Sequence, residues 1–308
     1  MSDISLDAPT TTTTRRSAGK KPRQGAMQSR AGWFVKITLG ILCLIWLIPT
    51  IGLLVTSFRQ PEAANTSGWW TTIGSPLQAT QWTLQNYRDV LFSGQTPMGI
   101  SFVNSLAVTL PATIIPIMIA AFAAYAFTFM HFKGRDTMFI IVVSLLVVPN
   151  MVALVPLLQF YGSVGLTGTF PAVWLAHTGF GMPLAIFILR NYMATLPLSV
   201  IESAKIDGAS HFQTFWRLIV PMSTPALAAF AIFQFLWVWN DLLVALIFLG
   251  QGDNMVVTVN LAGMQGQQGQ GWQLLTAGAF VSMAVPLLVF VSLQRYFIRG
   301  MTSGAVKG

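Results

Sequence analysis

The sequence predicts an all-α membrane protein with six transmembrane helices. Hydrophobic residues make up 54% of the chain and charged residues only 8%, whereas an ordinary soluble domain carries about 25% charged residues. Several apolar stretches also reach or approach the ~20 residues that are needed to cross a bilayer. Composition and stretch length therefore place the chain in the membrane class before any motif is considered.

The N-terminal segment, residues 1–33, is predicted to be a disordered basic tail. It has too few apolar residues to form a core, and its basic residues are Arg15, Arg16, Lys20, Lys21, Arg23 and Arg30. The apolar stretch that follows is too long for the hydrophobic part of a signal peptide and has no small-residue cleavage site. We therefore expect it to remain as the first span.

A membrane domain is expected over residues 34–298, followed by a short tail at 299–308. Its six predicted spans are 34–57, 102–130, 137–160, 170–190, 225–249 and 273–294. Proline would break a soluble helix, but in a bundle the neighbouring helices can satisfy the backbone groups that it frees. The prolines within these spans are Pro111, Pro116, Pro149, Pro156, Pro183 and Pro286.

Lysine and arginine are distributed unevenly between the two sides of the predicted bundle. With six spans both termini lie on one side, which collects fifteen of the 17 basic residues and leaves Arg59 and Arg88 on the other. Because basic residues are enriched in cytoplasmic loops, both termini are predicted to be cytoplasmic, with the bundle in the cell membrane. This distribution accounts for the net charge of +8 without a nucleic-acid partner.

The sequence offers little support for catalysis or metal binding. The one cysteine, Cys43, lies in an apolar run, which excludes a disulfide framework and a cysteine-based metal site. The histidines His131, His177 and His211 have no ligand spacing, and no glycine-rich loop followed by Lys-Ser or Lys-Thr is present. We therefore expect no catalytic residue, metal or cofactor in this chain.

The most informative segment is the polar loop at 196–223, between the fourth and fifth predicted spans. It is too long and too patterned for a simple connection. A short helix is expected to start at Pro197 or Ser199 and to end before Gly208, because glycine suits the left-handed position that follows a helix. A second amphipathic turn is expected before Pro221.

Small and acidic residues share this short helix. Ala204 and Gly208 are four residues apart and leave a bare stripe that another protein could approach closely, beside Glu202 and Asp207. The alternative is an amphipathic helix that lies on lipid headgroups. Such helices usually present Lys or Arg to the lipid, so we favour a protein contact through a groove with cationic walls.

The same loop resembles the EAA loop of ABC importer permeases. The matching runs are Glu202-Ser203-Ala204, Asp207-Gly208-Ala209 and Ile219-Val220-Pro221, where Ser203 and Val220 replace the usual alanine and leucine. Similarity covers nearly everything from about Ile37 onward and includes FVNSLAVT, AYAFTFMHFKGRD, WLAHTGFGMPLAIFILRNY, FLWVWNDLLVAL and RGMTSGAVKG. These segments resemble the MalG-type permeases of carbohydrate importers, and among them those of α-glucoside systems.

The resemblance implies a type I ABC importer permease fold with a cytoplasmic coupling helix. It implies four kinds of partner: a second permease, two ATPase subunits that bind ATP and Mg²⁺, an external sugar-binding protein, and a sugar such as an α-glucoside or another di- or oligosaccharide.

The resemblance also implies which residues contact the ATPases. Glu202 would form a salt bridge with an ATPase arginine. The residues implied to contact the ATPases are Glu202, Ser203, Ala204, Asp207, Gly208, Ala209 and Pro221, with Gly304, Val306, Lys307 and Gly308 of the C-terminal tail. A frayed end is the alternative for that tail.

Two polar residues, Asn240 and Asp241, fall inside the predicted fifth span. A carboxylate at that depth costs about 2.5–3.5 kcal/mol on insertion scales, so it should face a cavity or a partner. One hypothesis gives the pair a structural hydrogen bond to another span or to the partner permease. The other places it with Trp237 and Trp239 along a sugar path, where aromatic faces stack on a pyranose and polar groups bind its hydroxyls.

Two other classes of membrane protein are less well supported. A secondary transporter usually carries paired intramembrane ionisable residues or matching broken helices in two repeats, but only Asp241 qualifies and no repeat is visible. An intramembrane protease is suggested by the sequence GQGD at 250–253. That chemistry needs a second aspartate at membrane depth, and Asp253 falls instead in a loop rich in glutamine and glycine.

Overall fold

The computed structural model describes residues 32–74, 76, 78–94, 97–264 and 271–303. Within these ranges the chain is helical and has no β-strand, and an isolated antiparallel bridge joins Arg59 and Trp82. The helices are α1 (Trp33–Ser57), α2 (Pro61–Thr66), α3 (Gln85–Phe92), α4 (Met98–Phe129), α5 (Arg135–Ser144), α6 (Asn150–Ser163), α7 (Phe170–Met193), α8 (Leu198–Ile206), α9 (His211–Thr214), α10 (Val220–Trp239), α11 (Leu243–Phe248), α12 (Val257–Gly263) and α13 (Trp272–Ser303).

The chain divides into two compact units, one that ends at Ile48 and one that begins at Pro49. The first contains the N-terminal part of α1, an apolar helix with largely exposed side chains. The second contains the remaining helices and every contact described below.

Five described helices are long and apolar enough to cross a membrane: Trp33–Ser57, Met98–Phe129, Phe170–Met193, His211–Trp239 and Trp272–Leu293. A sixth apolar region consists of Arg135–Val147 and Asn150–Ser163, which meet at an angle of 99°. The bent pair brings the total to six if it crosses as one span. The predicted span 137–160 is therefore broken, at Pro149, whose missing N–H and fixed φ interrupt a helix.

The predicted fifth span, 225–249, is wrong at both ends, because a continuous helix runs from His211 to Trp239. At its beginning a π-helical turn, Phe215–Ile219, precedes Pro221. Such a turn adjusts the hydrogen-bond ladder where proline removes a donor, so the helix passes through Pro221. At its end the helix stops before the polar pair Asn240-Asp241, and the apolar residues beyond form the separate helix α11.

Side chains from other helices satisfy carbonyls that three prolines leave free. In α4, Pro111 and Pro116 cannot donate to the carbonyls of Ala107 and Ala112, four residues earlier. Trp174 Nε1 of α7 donates to Ala107 O at 3.1 Å, and Gln234 Nε2 of α10 donates to Ala112 O at 3.2 Å. The prediction that neighbouring helices compensate for these prolines is confirmed.

The third such proline is Pro286 in α13, which frees the carbonyl of Ser282. Trp239 Nε1, at the end of α10, donates to this oxygen at 3.2 Å. Because water is absent from the bilayer core, each of these bonds replaces one that the solvent would supply in a soluble protein. The three bonds link α4 to α7, α4 to α10, and α10 to α13.

The described core of the second unit has three clusters, of which two lie at opposite ends of α7 and the third contains Val90, Met98, Val257 and Ala277. One contains Ala172 and Ala176 of α7 with Phe248 of α11. The other contains the side chains of α4, α7 and α10 near the loop at 196–223, and its fully buried members include Ala120, Ala124, Ala185, Leu189, Met193 and Ile219. The alanines in this cluster let α4 and α7 pack closely, as small residues commonly do between membrane helices.

The described residues between 58 and 92, after α1, pack around a buried arginine. This arginine is Arg59, which is 2% exposed and donates through its guanidinium to Ser67 O at 2.7 Å and Ser67 Oγ at 2.6 Å. Burial lowers the pKa of this guanidinium. Asn86 Nδ2 donates to the carbonyls of Ser57 and Arg59, at 2.9 and 2.8 Å. These hydrogen bonds hold the described residues around Arg59 together.

Candidate functional site

The first candidate site is the short helix α8 in the loop at 196–223. The helix begins directly after Pro197, whose φ of −62° suits a helix start. Only one of its side chains, Ile201, is fully buried, at 1% exposure. Ile201 belongs to the cluster that contains Met193, Phe215 and Ile219. One apolar side chain therefore fixes α8 to the bundle while the rest of the helix projects.

The end of α8 is held by a tight hydrogen-bonded turn. Gly208 N–H donates to Lys205 O at 3.1 Å, and Ala209 N–H donates to Ala204 O at 2.9 Å, which is the pattern of a Schellman motif. Gly208 has the left-handed φ of 78° that this motif requires. The prediction of a left-handed glycine at position 208 is confirmed.

The next helix begins at His211, three residues after Gly208, and its start is also fixed. Ser210 Oγ accepts from the Gln213 N–H at 3.3 Å, while the Ser210 N–H donates to Gln213 Oε1 at 2.9 Å. This reciprocal pair is a capping box. Two well-terminated helices therefore hold the segment between them in one conformation. The segment that sequence predicted as a separate amphipathic turn is the beginning of the long helix to Trp239.

The outer surface of α8, of the turn after it and of the next helix start combines acidic side chains with exposed apolar side chains. Glu202, Ser203 and Asp207 are exposed, and Ala204 and Ala209 are half-buried. Within the described residues Glu202 forms no ion pair and no side-chain hydrogen bond. Ile206 is 86% exposed and Phe212 is 67% exposed. Exposed apolar residues around polar ones are typical of a protein contact surface. The predicted contact residues of the C-terminal tail, at 304–308, lie outside the described residues.

We expect Gly208→Ala to destabilise the turn by about 1–2 kcal/mol, the cost of a left-handed residue that carries a Cβ. Steric clash is not the cause, because a Cβ at this position meets no atom within 4 Å. Amide hydrogen exchange over 202–210 should therefore accelerate. Gly208→Asn should be milder, because asparagine tolerates this conformation. Gly252→Ala is the matched control, since Gly252 has equal space and no positive φ. Unchanged exchange in Gly208→Ala would contradict the assignment.

The second candidate site surrounds the break after α10. Asp241 Oδ2 accepts from the Ala245 N–H at 3.1 Å, and its backbone carbonyl accepts from Thr258 Oγ1 at 2.6 Å. The same carboxylate oxygen lies 3.7 Å from Nε2 of His177, whose ring is buried in α7. Asn240 is exposed, and its amide donates to Leu236 O at 2.7 Å. These bonds stabilise the break and join it to α11 and α12. The structural and the sugar-path hypotheses for this pair both stay predictions.

The two tryptophans predicted for a sugar path have different surroundings. Trp239 is 3% exposed, packs against the rings of Phe102 and Phe235 at 5.3 and 5.9 Å, and donates to Ser282 O. An indole enclosed in this way presents no free face to a ligand, so Trp239 is a packing residue and hydrogen-bond donor in this conformation. Trp237 is half-buried and lies edge-to-face with His177 at 5.2 Å.

Trp237 lines a cavity of about 260 Å³ together with residues that the sequence analysis did not single out. Gln234 comes from α10, Gly181 from α7, and Asn150 from the start of α6. Gln234 and Asn150 carry amides within otherwise apolar runs, which is the signal that could have identified them. A larger apolar cavity of about 490 Å³ shares Asn150 and adjoins it along α6 and α7. Among the described residues no group of three His, Cys, Asp or Glu side chains could hold a metal ion.

Comparison with known proteins identifies the relatives of this chain. Residues 116–303 match the family described as binding-protein-dependent transport system inner membrane component. The chain is 54% identical to the osmoprotective compounds uptake permease protein GgtD of Synechocystis sp., over 89% of this chain and 91% of that protein. It is 40% identical to the alpha-glucoside transport system permease protein AglG of Rhizobium meliloti, over 90% and 97%.

A solved structure shares the fold. A bacterial ABC transporter involved in the import of the acidic polysaccharide alginate superposes with a TM-score of 0.67 at 20% identity, over 85% of this chain and 94% of that chain. The helical permease fold predicted from the sequence is confirmed.

The chain belongs to the family of binding-protein-dependent transport system inner membrane components. It is a multi-pass permease subunit of a sugar ABC importer, and so a transport subunit and not an enzyme. The resemblance to MalG-type carbohydrate permeases is therefore confirmed.

Proposed function

We propose that this permease imports an α-glucoside, or another di- or oligosaccharide, delivered by an extracytoplasmic binding protein, and that two partner ATPases drive it through α8. The observation that carries the proposal is α8 itself, a short helix whose exposed Glu202 has no ion-pair partner among the described residues and whose end is fixed by the turn at Gly208. A second permease completes the pathway, and ATP and Mg²⁺ bind to the ATPase subunits.

The geometry of α8 suits a mechanical coupling element. Its base is fixed by Ile201, and its far end is continuous, through the tight turn at Gly208, with the helix that runs to Trp239. When the ATPases close on ATP, a rigid projection held in a cleft moves with them. The span that begins at His211 moves too, and the bundle changes from inward-open to outward-open. The C-terminal tail at 304–308 makes a further ATPase contact in this proposal.

The distribution of charge supports the orientation that this mechanism needs. One side of the bundle holds Lys133, Arg190 in the last turn of α7, Lys205 and Arg217, together with the basic N-terminal residues, if the bent pair is one span. Basic residues are enriched in cytoplasmic loops. Both termini and α8 therefore lie in the cytoplasm, where the ATPases are.

Two relatives support different substrates. AglG is a permease of alpha-glucoside transport, which supports an α-glucoside here. GgtD, at 54% identity, is a permease for the uptake of osmoprotective compounds, which supports a compatible solute as a second candidate. Uptake of labelled α-glucosides and of labelled solutes that cells accumulate under salt stress, measured in a strain that lacks this subunit, separates the two. Loss of α-glucoside uptake supports the first candidate, and loss of uptake only of solutes accumulated under salt stress supports the second.

A cross-linking experiment tests the coupling proposal. Cys43→Ser removes the one native thiol, and Ser203→Cys then introduces a thiol beside Glu202 on the exposed face of α8. We expect a bifunctional thiol reagent to join this position to a nucleotide-binding subunit in native membranes, with a yield that changes on addition of ATP. Recovery of lipid adducts alone would contradict the proposal.

A further inference from the structure

The cavity of about 260 Å³ beside the broken third span has the chemistry of a sugar-binding site. It lies between the Leu145–Val147 turn with the start of α6 on one side and helices α7 and α10 on the other. Its polar or aromatic walls are Asn150, Phe180, Gln234 and Trp237, and its remaining lining is apolar.

Two amides offer hydrogen bonds to this cavity. Asn150 is exposed at the first position of α6. Gln234 is fully buried, and although its Nε2 donates to Ala112 O, its Oε1 has no hydrogen-bond partner among the described residues. A Cβ at position 181 would lie 2.8 Å from this oxygen and 2.9 Å from Nε2, so glycine at this position makes room for the Gln234 amide. A buried acceptor without a partner is costly and is satisfied by a ligand or water that supplies a donor.

Trp237 supplies the aromatic surface. Its indole is half-buried, and its contact with the His177 ring holds it in place. The C–H face of a pyranose is apolar and packs on an indole, while amides bind the equatorial hydroxyls, which is the usual division of labour in ligand pockets.

We propose that Trp237, Gln234 and Asn150 form a binding site in this subunit for one neutral pyranose ring of the transported sugar. This inference rests on the proposed sugar-transport function and specifies where the sugar binds. The volume is below the ~300–1,000 Å³ typical of drug-sized ligands, so the site takes a single ring, and the rest of the substrate contacts the partner permease.

The charge of the lining determines the class of sugar. Among the residues that the structure describes, no charged side chain lines the cavity, and an ionised ligand group in an apolar site requires a paired charge. Asp241 is committed elsewhere, because its carboxylate accepts from the Ala245 N–H and faces His177. The site therefore binds neutral glycosides and rejects uronic acids, unlike the alginate importer that shares the fold.

Kinetics of uptake test the aromatic wall. We expect Trp237→Leu to raise the KM for the transported sugar at least about ten-fold, as loss of a buried aromatic anchor does, with a smaller change in maximal rate. Trp237→Phe should recover most of the affinity. Trp46→Leu is the matched control, because Trp46 is exposed on α1 and lines none of the cavities described. An unchanged KM in Trp237→Leu would overturn the site.

Thiol protection gives a second measurement that does not depend on Trp237. In the Cys43→Ser background, the thiol introduced by Asn150→Cys should react with a small polar maleimide. Maltose, trehalose or another transported α-glucoside should slow the reaction, whereas galacturonate should not. Equal maleimide reaction rates with and without the transported sugar would contradict sugar binding in this cavity. The cavity would then be interpreted as a surface that contacts the partner permease. If sugar uptake itself requires this chain while both tests fail, the proposed function stands and only the site is wrong.

Discussion

The Glu202→Lys variant is expected to insert normally and to lose sugar uptake. In the proposed complex Glu202 pairs with a cationic wall of the ATPase cleft, and breaking a buried charge pair at an interface costs about 2–5 kcal/mol or more. Charge reversal adds repulsion to that loss. Because about 1.4 kcal/mol is ten-fold in an equilibrium constant, association with the ATPases should weaken by at least about 30-fold.

The measurements are uptake of labelled sugar in vesicles and co-purification of the ATPase subunits. Asp136→Lys is the matched control: it makes the same charge change in a loop predicted on the same side, and Asp136 pairs only with its neighbour Arg135, at 2.9 Å, among the described residues. Normal uptake in Glu202→Lys, or equal loss in both variants, would contradict a specific role for α8.

The Gln234→Leu variant is expected to unfold more easily. Leucine cannot donate to the Ala112 carbonyl, which Pro116 has already deprived of its helical partner. An unsatisfied buried carbonyl costs about 1–3 kcal/mol, and more where no water can reach it. Thermal unfolding in detergent or nanodiscs should therefore shift to a lower temperature, and uptake should fall with it.

A double-mutant cycle separates this cause from a simple loss of packing. Pro116→Ala restores an N–H that can donate to Ala112 O, so Gln234→Leu should cost less in that background. Such a coupling between two positions measures their interaction directly. Trp239→Phe with Pro286→Ala is the equivalent pair in α10 and α13. Additive effects in both cycles would show that the prolines and donors act independently.

The helical class, the apolar spans and the shape of the loop at 196–223 were accessible from the sequence because each follows a local rule. Apolar length predicts a span, and Gly208 predicts the end of α8. The bend at Pro149 and the helix that continues through Pro221 were not predictable from the sequence. A proline alone does not determine whether a helix breaks at it or continues with an altered hydrogen-bond pattern. A π-helical turn decides the second case, and tertiary packing determines where such a turn forms.

The candidate sugar site was only partly accessible. Sequence singled out Trp237, but it grouped that residue with Trp239, which lies two positions later. In the structure the two residues have different roles, because Trp239 donates a hydrogen bond to the Ser282 carbonyl that Pro286 leaves free in α13. Gln234 and Asn150 are identified as site residues only because the fold brings α10 and the start of α6 to the same cavity. Local pattern identifies polar residues in apolar spans but not their partners.

The three bonds to proline-freed carbonyls also determine which helices travel together. Trp174 ties α7 to α4, Gln234 ties α10 to α4, and Trp239 ties α10 to α13. Sliding any one of these helices along its neighbour would expose a bare carbonyl to hydrocarbon, so relative sliding within the group is opposed. We therefore expect α4, α7, α10 and α13 to move as one rigid block, whereas the bent α5–α6 pair can move relative to that block.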